Sequence, residues 1–472
     1  MLLAECRLPT FFPTLPGIKA RMTLPAANPA TPRQHSFKVH KGRRVFHRHH
    51  HMSTLGIVVL IVAIAWALIV LLQPAPKYYL AQTPDGSVDS DEFARQLEAI
   101  TDTKLQHAGP IDVLTNGDNF YKAELEAIHS AKSNINLEAY IFHRGRVAQQ
   151  FVDALADRAR AGVQVRVVVD ALGSFSTPKG YFKPLTDAGG KMEWYHPLRW
   201  NNWTRVNNRT HREMLIVDGK VGFIGGAGID DQWLFPEHKQ PPWRDTVCRV
   251  HGEAVEGLQS VFLENWLNSS GEILAGAEYF PVPPQNGNAR ALVIDSTPSF
   301  GGSTRAHILY QALIRSAKKS IYITTPYFLP DSSIRGEMLR AIKDRKVDIK
   351  IIAPGRKSDH AMTRNSSRAL YGDLLQAGAN IFEYTPTMIH AKIMIVDGLW
   401  AVVGSTNFDN RSFGINDEVN LAARDPGLAA RLTSDFENDL TQSRRVTYQD
   451  WKKRPVWERV FESVGWFFQR QQ

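Results

Sequence analysis

Two histidines, His211 and His390, stand 179 positions apart, and each opens the same kind of segment. The second segment is the fuller one. His390 is followed by Lys392 at +2, Asp397 at +7, Ser405 at +15, Asn407 at +17 and Glu418 at +28. In a strand, residues i and i+2 share a face. An imidazole and an ammonium therefore project side by side, and Ser405 and Asn407 repeat that spacing on the next strand. One base, one cation, one hydroxyl and one amide suit a phosphate: the imidazole attacks or moves a proton, and the others bind nonbridging oxygens where charge accumulates. Asp397 falls on the opposite face of a straight strand and fits a structural role at a turn.

The first segment departs at two phosphate-facing positions. Glu213 stands in place of the lysine and Gly228 in place of the asparagine, while Gly226 corresponds to Ser405. At about 4 Å and an effective dielectric of about 20, a carboxylate repels a phosphate charge by about 4 kcal/mol. Glu213 must then be neutral, salt-bridged or turned away. Arg209, Arg212 and Arg244 are close in sequence and are candidates to supply the missing cation. His211 and Asp218 are retained. Three readings stay open: an active site with arginine substituting for lysine, an active site with reversed histidine roles in which His390 attacks beside its own lysine, or a degenerate first half in a lipid-binding scaffold.

The elements that must position these groups occur twice. Residues 121–142 match 310–330, each an amphipathic helix pattern running into a strand. Residues 163–170 (VQVRVVVD) match 347–354 (VDIKIIAP), 185–197 match 374–386, and 211–231 match 390–410. The last block reads as two strands joined at Asp-Gly, a hairpin signal. Strands alternating with helices imply an α/β sandwich, and a repeat this long implies duplication of a whole domain. The expected fold is two duplicated α/β sandwich domains, 109–285 and 286–446, sharing a central active site. The first half carries about ten additional residues, RWNNWTRVNN (199–208), expected as a loop near that site.

H-x-K-x4-D followed by G-S-x-N resembles the HKD signature of the phospholipase D superfamily. The likeness covers about residues 109–446. The segments LEAYIF, TPYFLPD and NFDNRS make the chain most similar to bacterial cardiolipin synthases and related phosphatidyltransferases. The resemblance implies a metal-free, cofactor-free, two-step reaction through a phosphohistidine. By it, His211 is the nucleophile and His390 the acid and base. A downstream acid in each half hydrogen-bonds a catalytic imidazole and fixes its tautomer. Glu418 fits that role by spacing, and Asp245 is the looser candidate from the first half. The implied partners are a phospholipid, phosphatidylglycerol first, and an alcohol acceptor. Hydrolysis by the same site and nuclease activity are the alternative enzymatic readings.

Composition and flanking segments bear on the setting. The net charge of +9 is concentrated in residues 1–54, which carry +8; the rest of the chain is nearly neutral, which disfavours a nucleic-acid partner. That basic segment is Pro-rich early and is read as disordered; its HRHHH run (47–51) reads as polar flank rather than as a metal site. Residues 55–72, LGIVVLIVAIAWALIVLL, carry no charge and would extend about 27 Å as a helix. They are expected to be a transmembrane anchor rather than a cleaved signal. The basic flank places the N-terminus in the cytoplasm and the catalytic body on the far side of the inner membrane. Residues 73–108 read as a linker. Residues 447–472 read as an amphipathic tail, with Trp457, Val460, Phe461, Val464 and Phe468 on one side, able to lie on lipid or on the protein's own core. Cys6 and Cys248 fall on opposite sides of the membrane in this topology, so no disulfide framework is expected.

Overall fold

The computed structural model describes residues 54–72, 78–197, 207–237, 239–283, 287, 289–298 and 304–455. The chain divides into two units, Met1–Ile64 and Ala65–Gln472, and the second holds the fold that follows. Its first strand is β1 (Leu105–Thr115). Helix Gly117–Ser130 leads into β2 (Asn134–Ala139), helix Arg146–Arg160 into β3 (Gln164–Asp170), and the short helix Lys183–Asp187 into β4 (Lys191–Tyr195). A hairpin follows, β5 (Met214–Val217) and β6 (Val221–Gly225), then β7 (Thr246–Gly252) and helix Ala254–Ser270.

The same order then recurs. β8 (Ala289–Ser296) precedes helix Arg305–Ser316 and β9 (Ser320–Thr324), helix Ser332–Arg345 and β10 (Asp348–Pro354), helix Tyr371–Ala377 and β11 (Asn380–Tyr384). The hairpin β12 (Ile393–Val396) and β13 (Trp400–Gly404) is followed by β14 (Glu418–Arg424), helix Pro426–Thr441 and β15 (Ser443–Val446). β2, β3 and β4 are parallel, as are β9, β10 and β11, because a helix crosses over between each pair. Their Val- and Ile-rich runs are buried, as parallel strands covered by helices require.

These fifteen strands form one sheet rather than two separate ones. Outward from a central pair, β1 and β8, the order is β7, β6, β5, β2, β3, β4 on one side. On the other it is β14, β13, β12, β9, β10, β11, with β15 at the edge. The join is antiparallel, Leu105 opposite Leu292 and Ala108 opposite Ala289. The fold is thus mixed α/β with a large shared sheet. Separate sandwiches were the natural reading of a repeat, but neither β1 nor β8 can bury its edge without the other.

Residues expected to be a linker are partly structured. Ser90 caps the helix Asp91–Thr101 by accepting from the Phe93 N–H, a preferred N-cap residue. That helix buries Phe93, Ala94 and Leu97 in the core of the second half, where the Trp400 indole also donates to the Val88 carbonyl at 2.6 Å.

Thr54–Leu72 is a helix of 19 residues; the side chains of Leu55 and residues 67–72 lie outside the described ones. Among the described residues no helix is long and apolar enough to cross a membrane. The expected tail helix lies outside the described residues beyond Pro455, as do the HRHHH run and all of the 199–208 insertion except Asn207 and Asn208.

Candidate active site

Each hairpin is fixed at its turn by the motif aspartate. Asp218-Gly219 and Asp397-Gly398 all have positive φ, between 55° and 68°, the backbone of a type I′ turn. The Asp218 carboxylate accepts from the N–H groups of Lys132, Ser133 and Asn134. Asp397 accepts from Lys318, Lys319 and Ser320. Both thus pin the hairpin tip to the start of the neighbouring strand. That places the histidines, three residues before β5 and β12, at the far end of each hairpin.

There the two halves interlock. The backbone before each histidine pairs with the backbone before the other half's acid: Thr210 bridges Asp417, and Arg244 bridges Ile389. The His211 N–H donates to the Asp417 carbonyl at 2.8 Å and the His390 N–H to the Arg244 carbonyl at 2.7 Å. The acids cross accordingly. His211 Nδ1 lies 3.0 Å from Glu418 Oε2. His390 Nδ1 lies 2.9 Å from Asp245 Oδ2. Both carboxylates are fully buried. Burial alone would raise Asp245, but its hydrogen bond to His390 and the His390 and Lys392 charges leave it below the ordinary carboxylate value.

The remaining motif groups pack against these two imidazole–carboxylate pairs. Ser405 Oγ donates to Glu418 Oε2 at 2.6 Å, so the second half's serine steadies the acid that holds the first half's histidine. Lys392 Nζ lies 2.8 and 3.0 Å from the two His390 ring nitrogens and 3.4 Å from the carbonyl of Gly226 in the first half. A Cβ on Gly226 would come within 2.8 Å of that ammonium, so the glycine is what admits it. Burial, reinforced by the Lys392 charge and opposed by Asp245, holds His390 below its ordinary pKa. Burial likewise lowers Lys392, against the pull of Asp245, Glu418 and Glu213. Asn407 is buried and its Oδ1 has no hydrogen-bond partner among the described residues.

Glu213 is neither turned out nor salt-bridged. It is buried, with its Oε1 accepting from the N–H groups of Tyr140 and Ile141. Burial pushes its carboxyl well above the ordinary value despite those bonds and the Lys392 charge, which favours the protonated form. Gly228 is required first by Ile141, whose Cβ and carbonyl would each lie 2.7 Å from a Cβ there, and then by Glu213 Oε1 at 3.0 Å. The three arginines proposed as substitute cations are committed elsewhere. Arg209 pairs with Asp170, Arg212 with Glu264 and Arg244 with Asp439, each at 3.0 Å or less. Other carboxylates claim them, two of them buried, so the cation at the first half's glycine comes from Lys392.

Several neighbours are invisible to motif spacing. Trp233 and Trp243 lie 5.4 and 5.6 Å, centroid to centroid, from the His390 ring, and the Trp233 indole donates to Asp245 Oδ2. Tyr140 stands 5.0 Å edge-on to His211. Asp409 caps the helix Asn410–Gly414 and feels Glu418 and His211; burial raises its pKa to about 6. Tyr140 and Asp409 lie in the quoted segments LEAYIF and NFDNRS; the tryptophans carried no sequence signal.

The family model described as "Cardiolipin synthase, PLD-like domain" matches this chain twice, at residues 125–239 and 310–440. The major cardiolipin synthase ClsA of Bacillus subtilis (strain 168) is 38% identical over 359 residues, 75% of this chain and 74% of that protein. A cardiolipin synthase of Geobacillus sp. (strain WCH70) is 37% identical over 75% of this chain and 70% of that protein. Among solved structures, a phosphatidylserine synthase of Haemophilus influenzae matches with a TM-score of 0.62 at 13% identity, covering 80% of this chain and 99% of that one. At that identity the likeness is one of fold.

Proposed function

Since the chain belongs to the family of PLD-like cardiolipin synthases, and is a phosphatidyltransferase of that superfamily, we propose that it transfers a phosphatidyl group from phosphatidylglycerol to the headgroup hydroxyl of a second phospholipid, through a phosphohistidine. The observation that carries this reading is the crossed pairing of each imidazole with the other half's acid. With Nδ1 of both rings turned to a carboxylate, the chemistry falls to the Nε2 atoms, and the Lys392 ammonium stands 3.0 Å from that of His390.

His211 Nε2 attacks phosphorus as the bond to the glycerol oxygen breaks, and His390 gives that oxygen its proton. Glycerol leaves. His390 then takes the proton from the incoming headgroup hydroxyl, whose oxygen attacks phosphorus and releases His211. Lys392 and Asn407 serve the nonbridging oxygens, Ser405 holds Glu418 in place, and the buried Glu213, with its raised pKa, adds little repulsive charge. Glu418 and Asp245 orient the rings. Residues 55–72 anchor the enzyme in the inner membrane, with the catalytic body on the extracytoplasmic side where lipid headgroups reach it.

One observation favours the reverse division of labour. His390, buried beside Lys392, has its pKa held below the ordinary value, a shift that favours the free base and suits a nucleophile better than an acid. Trapping the phosphoenzyme with labelled lipid and locating the label decides between His211 and His390. The function itself is tested by lipid analysis of membranes holding wild type, His211→Ala or His390→Ala. Wild type is expected to make cardiolipin and glycerol from phosphatidylglycerol, and each variant to lose at least about 10³-fold in rate. Phosphatidic acid as the sole product would make the enzyme a hydrolase, and turnover unchanged by either substitution would remove the proposal.

A further inference from the structure

The second half contains a cavity of about 220 Å3 that the reaction does not use. It lies where helix Arg305–Ser316 ends, before β9. His390 belongs to the other end of that strand, since Thr324 pairs with Ile393; the five residues of β9 put about 16 Å between the two ends.

The wall is cationic. Arg315, Lys318, Arg340 and Arg345 line it, and Glu337 is its one acidic lining residue. Glu337 already holds both Arg315 at 3.0 Å and Arg340 at 2.6 Å. Arg345 donates to the carbonyls of Ile314 and Ala317 at the helix end. That helix terminus carries only roughly half a negative charge, so it and Glu337 together leave the four cations unbalanced. Asp89 and Asp344 act on Lys318 and Arg345 from outside the lining. Burial, to which the Arg315 and Arg340 charges add and which Glu337 opposes, holds Arg345 below its ordinary pKa. A second observation is independent of charge. Ser316 borders the cavity, is 7% exposed, and its hydroxyl has no hydrogen-bond partner among the described residues.

We propose that this cavity is a non-catalytic binding site for a phosphate group, either free phosphate or the headgroup of an anionic phospholipid. The guanidinium groups offer charge-assisted hydrogen bonds to its oxygens, and Ser316 offers a neutral donor. Arg315 also donates to Thr83 Oγ1 at 3.0 Å, so an occupant would tie the segment before helix Asp91–Thr101 to the second half. The proposal stands whether or not the transferase reading does.

Hydrogen–deuterium exchange on the full chain in neutral-detergent micelles tests it, with inorganic phosphate and with phosphatidylcholine vesicles with or without phosphatidylglycerol. Protection is expected at residues 314–320 and 337–346. Protection by phosphate alone assigns the site to the free anion; protection only by phosphatidylglycerol vesicles assigns it to a headgroup. Lys318→Ala/Arg340→Ala removes two cations and should weaken binding roughly tenfold or more, with exchange around 390–407 unchanged. Ser316→Ala, which leaves every charge in place, should weaken it by a smaller factor. Absence of protection by either probe, or equal protection in wild type and both variants, overturns the site.

Discussion

The two halves share a chain path but divide the chemistry unequally. The second half presents Lys392, Ser405 and Asn407, all buried around His390 and Glu418. The first presents Gly226, Gly228 and a buried carboxyl whose pKa is raised by burial. Read alone, the first half looks impaired. In the folded chain its glycines admit their neighbours: Gly226 makes space for Lys392 of the other half, and Gly228 makes space for Ile141 and Glu213. On the proposed reaction, a duplicated fold needs only one full set of phosphate ligands, because both imidazoles serve one phosphorus.

Lys392→Ala should produce the largest effect that separates the halves. It removes the cation serving both, and a fall in kcat/KM of roughly 10²–10³-fold is expected in a vesicle assay of phosphatidylglycerol turnover. A change of only a few fold would mean that another cation serves the first half. Next come the crossed acids. Asp245→Asn and Glu418→Gln should each cost roughly 10²-fold by leaving an imidazole in the wrong tautomer. Comparable losses would establish the symmetry of the site, and a loss confined to one would assign the chemistry to one histidine.

Gly226→Ala is the intermediate case. Its Cβ displaces the Lys392 ammonium without touching a catalytic side chain of the first half, and about a tenfold loss is expected. The smallest effect belongs to Glu213→Gln, which keeps the acceptor for Tyr140 and Ile141 and should hold activity within about threefold. Its signature lies in stability. Folded Glu213 keeps its proton above the pH at which the unfolded chain loses it. Between those values the folded state holds the extra proton, so stability falls as pH rises. Urea denaturation should show the glutamine variant gaining on wild type at about pH 8 and not at about pH 4. An equal difference at both would mean that Glu213 is ionised.

Much of the architecture was legible because it rests on local pattern. The apolar runs 163–170 and 347–354 became β3 and β10, and the Asp-Gly pairs became turns, since periodicity and turn chemistry act within a few residues. The joining of both halves into one sheet was not legible, because Leu105 and Leu292, which pair across the join, are separated by the whole of the first half. Nor was the segment before it, where the short helix Asp91–Thr101 is stabilised by packing against Trp400 rather than by its own length.

Sequence by itself determined the residue types: two imidazoles at matching positions, one lysine, one serine, one asparagine, two downstream acids, and the lysine-to-glutamate and polar-to-glycine departures of the first half. Only the tertiary structure decided which acid serves which ring, that Arg209, Arg212 and Arg244 are spent on other carboxylates, and that Glu213 is buried where its pKa is raised. The reason is that partner choice and ionisation depend on distance and burial, and both are set by contacts between residues that the chain order keeps far apart.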